Sequence, residues 1–207
     1  MSMLEIVSPG LKVLFERVGK PEIVNRPDLL GFDGTGAVIA CNHVGWADSL
    51  WVAYAVYPRQ LRYMSKQELF GSPLTRWMMG QVGSISIDRT APQPSSIKTA
   101  VDAVQNGELL LIFPSGTRSM DTTSFKRGAA TIALQAGVPL VPAYYQGPTQ
   151  MQVGHLLDRP HIRLTFGEPI ATTGLSQGKD TINALTRQLE HDIEALKATA
   201  LCLPTAA

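Results

Sequence analysis

Hydrophobic positions along the 207 residues fall into short blocks that alternate between two periods. Strand-like runs stand at "GAVIACN" (36–42), "QLRYMS" (60–65), "GSISID" (83–88), "GELLLIF" (107–113), "VPLVPAYY" (138–145) and "HIRLTFG" (161–167). Stretches of helical spacing separate several of them, at 47–57, 94–106 and 127–136. This alternation predicts an α/β fold whose mixed, largely parallel sheet is flanked by helices on both faces. "ELLLIF" is continuously apolar between "NG" and "PSG", so it predicts a strand with neither face in water.

The two ends carry helices of another kind. Ser8 and Pro9 read as an N-cap and first turn, and Leu11, Leu14, Phe15 and Val18 then recur at helical spacing, which predicts a short amphipathic helix over about 9–19. Near the other end, Ile182, Leu185, Leu189, Ile193 and Leu196 form one apolar stripe on a long polar-faced helix over 180–198. A tail at about 203–207 is expected to fray. The loop "TAPQPSS" (90–96) is too short to separate domains, so a single domain spanning 1–207 is expected.

Composition narrows the function classes. With 44% hydrophobic residues the chain fills one core, while a charged fraction of 17% and a net charge of +1 supply no field for nucleic acid. Cys41 and Cys202 lie far apart without a CxxC pair, which speaks against a disulfide framework and for a reducing compartment. The start lacks a basic region followed by a sustained apolar stretch, and no window holds the roughly 18 apolar residues of a membrane span. Membrane contact is therefore expected to be peripheral. The pattern sets no oligomeric state.

Four stretches carry candidate chemistry. In "CNHVGWADSLW", His43 and Asp48 lie five residues apart, which on a regular helix turns them roughly 140° from each other. They meet if His43 sits in the turn after a strand and Asp48 in the first turn of the next helix. There the carboxylate would fix the imidazole tautomer and leave the other nitrogen as a base; capping of that helix explains the same residues without chemistry. "GSISIDR" delivers Asp88 and Arg89 to a strand end, either for a ligand or for an ordinary ion pair. "FPSGTRS" offers a turn of backbone N–H groups with Ser115, Gly116, Thr117 and Arg118, suited to an anion. "FKRGAAT" puts Lys126 and Arg127 at a helix start, where phosphate or plain solvent would suit them equally.

Cys41 shares a strand face with position 43, so a Cys–His pair is geometrically open, although a small buried strand residue is the simpler reading. His155, His161 and His191 lack ligand spacing, so neither a metal nor a cofactor is expected.

The order and distance of the four blocks together resemble the lysophospholipid and glycerol-phosphate acyltransferase superfamily over roughly residues 20–170. The resemblance implies a glycerol-3-phosphate acyltransferase-like fold, His43 as general base oriented by Asp48, and direct transfer from acyl-CoA or acyl carrier protein without an acyl-enzyme. It implies that Arg89, Ser115, Gly116, Thr117, Arg118 and Lys126 hold the phosphate of a lysophospholipid acceptor at the cytoplasmic face of a membrane. One departure stands out: the family block usually reads F-P-E-G-T-R, and here Ser115 occupies the glutamate position. Lysophosphatidate is the acceptor the resemblance favours. Another lysophospholipid, a lyso-ornithine lipid, glycerol phosphate, thioester hydrolysis and non-catalytic lipid binding stay open beside it.

A lipid acceptor asks for apolar contacts. The candidates are the N-terminal helix, the segment "SPLTRWMMG" with Leu74, Trp77, Met78 and Met79, and the aromatic face of Trp51, Tyr54 and Tyr57, each of which core packing would also explain.

Overall fold

The computed structural model describes residues 13–26, 34–88, 93–115, 125–152 and 154–202. Its strands are β1 (Lys20–Val24), β2 (Ala37–Cys41), β3 (Leu61–Lys66), β4 (Ser84–Ile87), β5 (Leu109–Ile112), β6 (Leu140–Gln146) and β7 (His161–Phe166). Helices α1 (residues 13–18), α2 (Ala47–Val56), α3 (Pro73–Gln81), α4 (Pro94–Gln105), α5 (Gly128–Ala136), α6 (His155–Asp158, one turn) and α7 (Lys179–Cys202) connect and cover them. The strands form one sheet in the order β1-β7-β6-β2-β5-β3-β4. Every neighbouring pair is parallel except β6 and β7, so the sheet is mixed and largely parallel.

Alternation within the central strands divides their side chains between two cores. Val38, Ala40, Leu110, Ile112, Leu140 and Tyr144 face one side, where α4, α5 and α7 pack. Ala37, Ile39, Cys41, Leu109, Leu111, Val141, Ala143 and Tyr145 face the other, under α1 and α2. Both faces lie out of water, which is why these strands read as unbroken apolar runs. Each fully buried Leu or Ile contributes about 1.5–3 kcal/mol by transfer from water. The predicted stripe of α7 meets the first core as expected, with Leu185, Leu189 and Ile193 buried. Helix α5 is rich in alanine, which lets it lie close to the sheet, and Gly137 ends it in the left-handed region at φ 67°.

The structure adds one strand to the expected set, leaves some expectations outside the described residues and overturns one. β1, with sequence KPEIV, shows no apolar alternation; it is an edge strand recruited by pairing with β7. Ser8, Pro9 and Leu11 of the predicted first helix lie outside the described residues, as does the tail 203–207. Of the stripe that remains, Phe15 and Val18 are buried while Leu14 is exposed, so much of it serves the core. Trp51, expected as a membrane or acyl contact, is enclosed completely. Phe15 meets it edge-on at 4.9 Å, and Tyr54 does so at 5.6 Å, so its indole is a core anchor closed to any membrane surface.

Candidate active site

The carboxyl ends of parallel strands are where loops gather chemistry, because helix N-termini and turn N–H groups converge there. β2 and β5 run side by side with Ala40 opposite Ile112. His43 and Ser115 each lie three residues past these partners, and so leave the sheet at the same end.

The chain turns sharply after β2 and enters α2. Asp48, in the first turn of α2, is fully buried. Its Oδ2 stands 2.9 Å from His43 Nδ1 and also accepts the N–H groups of Val44 at 2.8 Å and Gly45 at 3.1 Å. Ser49 Oγ donates to Oδ1 at 3.3 Å. The aspartate thus fastens the loop that carries the histidine to the first turn of α2 and orients the ring at the same time. A carboxylate can only accept, so Nδ1 carries the proton and Nε2 is left as the basic nitrogen. The ring of Phe113, just past β5, stacks on the imidazole with centroids 4.0 Å apart.

A second set of contacts holds this loop from behind. Asn42 accepts from Tyr145 N–H at 2.6 Å through Oδ1, and donates to Tyr145 C=O at 3.0 Å through Nδ2, continuing the β2–β6 ladder with a side chain. Tyr145 Oη donates to the Pro148 carbonyl at 2.9 Å. The next carbonyl, of Thr149, accepts Ala47 N–H at 3.3 Å and lies so close to Gly45 that a Cβ there would collide with it. Asn42, Gly45, Tyr145 and Phe113 were not assigned roles from the sequence. The polar residue ending an apolar strand and the glycine inside the H-x4-D loop were their only signals.

Cys41 belongs to the core. It is fully buried and donates to Asn42 Oδ1 at 3.4 Å, and burial, with the Asp48 charge second, pushes its thiol well above the ordinary range. A thiol held neutral in this way is no nucleophile. Burial, then the same carboxylate, also raises the Tyr145 phenol.

Of the residues expected to hold phosphate, Ser115 is buried beside the β5 end. Lys126 has an exposed side chain, and its N–H donates to the Pro114 carbonyl at 2.9 Å, which brings it next to Ser115. β4 stands three strands from β2, about 14 Å at ordinary strand spacing. Arg89, Gly116, Thr117 and Arg118 lie outside the described residues, as does the side chain of Met78. Leu74 and Trp77 on α3 are exposed, at 67% and 55%, and Leu69 in the preceding turn at 50%. Among the described residues no group of three or more His, Cys, Asp or Glu side chains is placed to hold a metal.

A histidine aligned by a buried carboxylate, at the carboxyl end of a mixed sheet, suits base-assisted transfer of an activated acyl group to a hydroxyl. The sequence model described as Acyltransferase matches residues 17–146, and the chain belongs to the acyltransferase family. The 1-acyl-sn-glycerol-3-phosphate acyltransferase of Bacillus subtilis is 35% identical over 197 residues, 94% of this chain and 97% of that protein. The protein of the same name from Streptococcus pneumoniae is 30% identical over 161 residues, 77% of this chain but 60% of its own length. The crystal structure of the 1-acyl-sn-glycerophosphate acyltransferase PlsC from Thermotoga maritima has the same fold, with a TM-score of 0.64 over 94% of this chain and 78% of that one at 20% identity.

Proposed function

We propose that this chain moves a fatty acyl group from an acyl thioester to the free hydroxyl of 1-acylglycerol-3-phosphate, giving phosphatidate. The observation that carries the reading is the 2.9 Å contact between His43 Nδ1 and a fully buried Asp48. The identity to the Bacillus subtilis acyltransferase along nearly the whole of both chains supports the choice of acceptor.

In this mechanism Nε2 of His43 takes the proton of the acceptor hydroxyl as its oxygen attacks the thioester carbon. The tetrahedral intermediate collapses with cleavage of the C–S bond, and the imidazolium returns the proton to the departing thiolate. A thioester is already activated, so positioning and a base suffice and no covalent acyl-enzyme is formed. Ser115, Gly116, Thr117, Arg118, Arg89 and Lys126 hold the phosphate; the Lys126 N–H contact with Pro114, next to Ser115, supports this grouping for its described part. The donor is acyl-CoA or acyl carrier protein, and no metal or cofactor takes part.

The acceptor reaches the enzyme from a membrane surface, with the protein bound peripherally at the cytoplasmic face. No helix among the described residues is long and apolar enough to cross a membrane. Support for surface binding comes from exposed Leu69, Leu74 and Trp77 with Arg76 among them, a mixture of apolar, indole and cationic groups suited to an interface. One observation favours a second acceptor: Ser115 replaces a carboxylate by a hydroxyl, which admits another lysophospholipid, a lyso-ornithine lipid or glycerol phosphate.

The deciding experiment follows thiol release from long-chain acyl-CoA with and without 1-acylglycerol-3-phosphate, for wild type and folded His43→Ala. Release that requires the acceptor, is matched by phosphatidate and vanishes in the variant is expected. Release independent of acceptor would mean a thioesterase. Release with another acceptor only would move the assignment to that lipid.

A further inference from the structure

Transfer through His43 creates a cation where there is little water. The side chain is only 11% exposed, so the charge arriving on the ring must be stabilised by the protein. Asp48 meets it in the ring plane at Nδ1. The ring face is met by Phe113, with centroids 4.0 Å and planes 21° apart. Phe113, partly buried, in turn packs against the core beneath α2.

The geometry points to Phe113 as a positioning residue for the reaction, one that fixes the plane of the His43 imidazole and stabilises the charge that develops on it during transfer. The π face of a benzene ring is negative, and a cation within about 6 Å of its centroid is attracted to it. A neutral imidazole gains less from the same stack. The contact therefore strengthens as the proton moves from the acceptor hydroxyl to Nε2, which is when stabilisation lowers the barrier. Stacking also fixes the plane in which Nδ1 faces Asp48. Without that stop the Asp48 hydrogen bond alone would allow the ring to rock about it.

This rests on the general-base reading of His43, and the test separates the two. Phe113→Leu keeps apolar bulk but loses the π face, while Phe113→Tyr keeps both. Steady-state kinetics would be compared for wild type, these two variants and His43→Ala, with folding checked by circular dichroism and thermal unfolding. For Phe113→Leu we expect kcat to fall about 3- to 30-fold, the range of a cation–π contact, with KM for both substrates nearly unchanged. Phe113→Tyr should recover most of the loss. In the proton NMR spectrum, the His43 ring resonances should lose their upfield ring-current displacement in Phe113→Leu and keep it in Phe113→Tyr.

Wild-type kcat in folded Phe113→Leu, or an equal loss in Phe113→Leu and Phe113→Tyr, would overturn the inference while leaving the base in place. Full activity in His43→Ala would instead sink the reading beneath it.

Discussion

Asn42 and Tyr145, 103 residues apart, exchange two hydrogen bonds across the ends of β2 and β6, at 2.6 Å and 3.0 Å. The amide side chain stands in for the next backbone rung, so the ladder closes just where β2 must let the chain turn toward His43. The neighbouring residue is thereby held on one side by β6 and on the other by the carboxylate of α2.

Replacing Asn42 by Ala strips partners from a backbone N–H and a backbone C=O of Tyr145. A loss of about 1–3 kcal/mol in stability is expected, together with a fall in kcat larger than any change in KM. Asn42→Asp keeps the acceptor for the N–H but sets a carboxylate against the carbonyl. Urea unfolding with parallel kinetics checks both; an Asn42→Ala enzyme with wild-type stability and kcat would show the clamp to be idle.

Asp48→Asn preserves shape and removes the charge. The amide oxygen can still accept from His43, Val44 and Gly45, but it carries no charge to oppose an imidazolium, so kcat should drop by at least about ten-fold with the fold retained. Near-wild-type turnover would mean that Asp48 only ties the histidine loop to α2.

Gly45 has no room for a side chain, since a Cβ would strike the carbonyl of Thr149, an atom that is part of the backbone. Gly45→Ala should therefore cost about 1–3 kcal/mol and displace the histidine loop. Thermal unfolding measures the first, and lost acyl transfer the second. A fully active, fully stable variant would mean that the loop after β6 yields freely.

Trp77 projects from α3 and is more than half exposed. Trp77→Ala should alter stability by no more than about 0.5 kcal/mol yet weaken sedimentation with vesicles containing anionic lipid. Unchanged vesicle binding would mean that Trp77 is no membrane anchor.

The Cys41 thiol is raised well above its ordinary value of 9.0, chiefly by burial. Below that value it is protonated in folded and unfolded chains alike. As pH rises past it, the unfolded chain gives up the proton while the folded one keeps it, so this thiol's contribution to stability is lost toward alkaline pH. Tyr63 and Tyr145, also raised by burial, act in the same direction. Urea unfolding at about pH 7.5 and about pH 10 should show a smaller alkaline loss in Cys41→Ala than in wild type, with acyl transfer retained. Equal losses would mean that Cys41 titrates normally, and abolished transfer in a folded variant would reopen it as a nucleophile.

Most strands and the long helices were legible because their signals are local. A run such as "ELLLIF" has to bury both faces, and the stripe Leu185, Leu189, Ile193 has only one face to bury, so periodicity alone defines each. The pairing of His43 with Asp48 was legible too, since one strand end and one helix start, five residues apart, bring them together. Block order further disclosed the family.

What only tertiary structure decided depends on contacts between distant segments. β1 has no pattern of its own and becomes a strand because β7 offers it an edge. Trp51 carried an aromatic signal that suited lipid as well as core, and Phe15, packed edge-on against it, settles it for the core. Asn42 reaches Tyr145, Gly45 meets Thr149, and Phe113 lies on His43, each across separate strands or loops. The sequence by itself determined which groups exist and which short-range arrangements they take. The partners that hold the His43 ring in one orientation were chosen by the sheet order, because only strand pairing sets which of the chain's loops become neighbours.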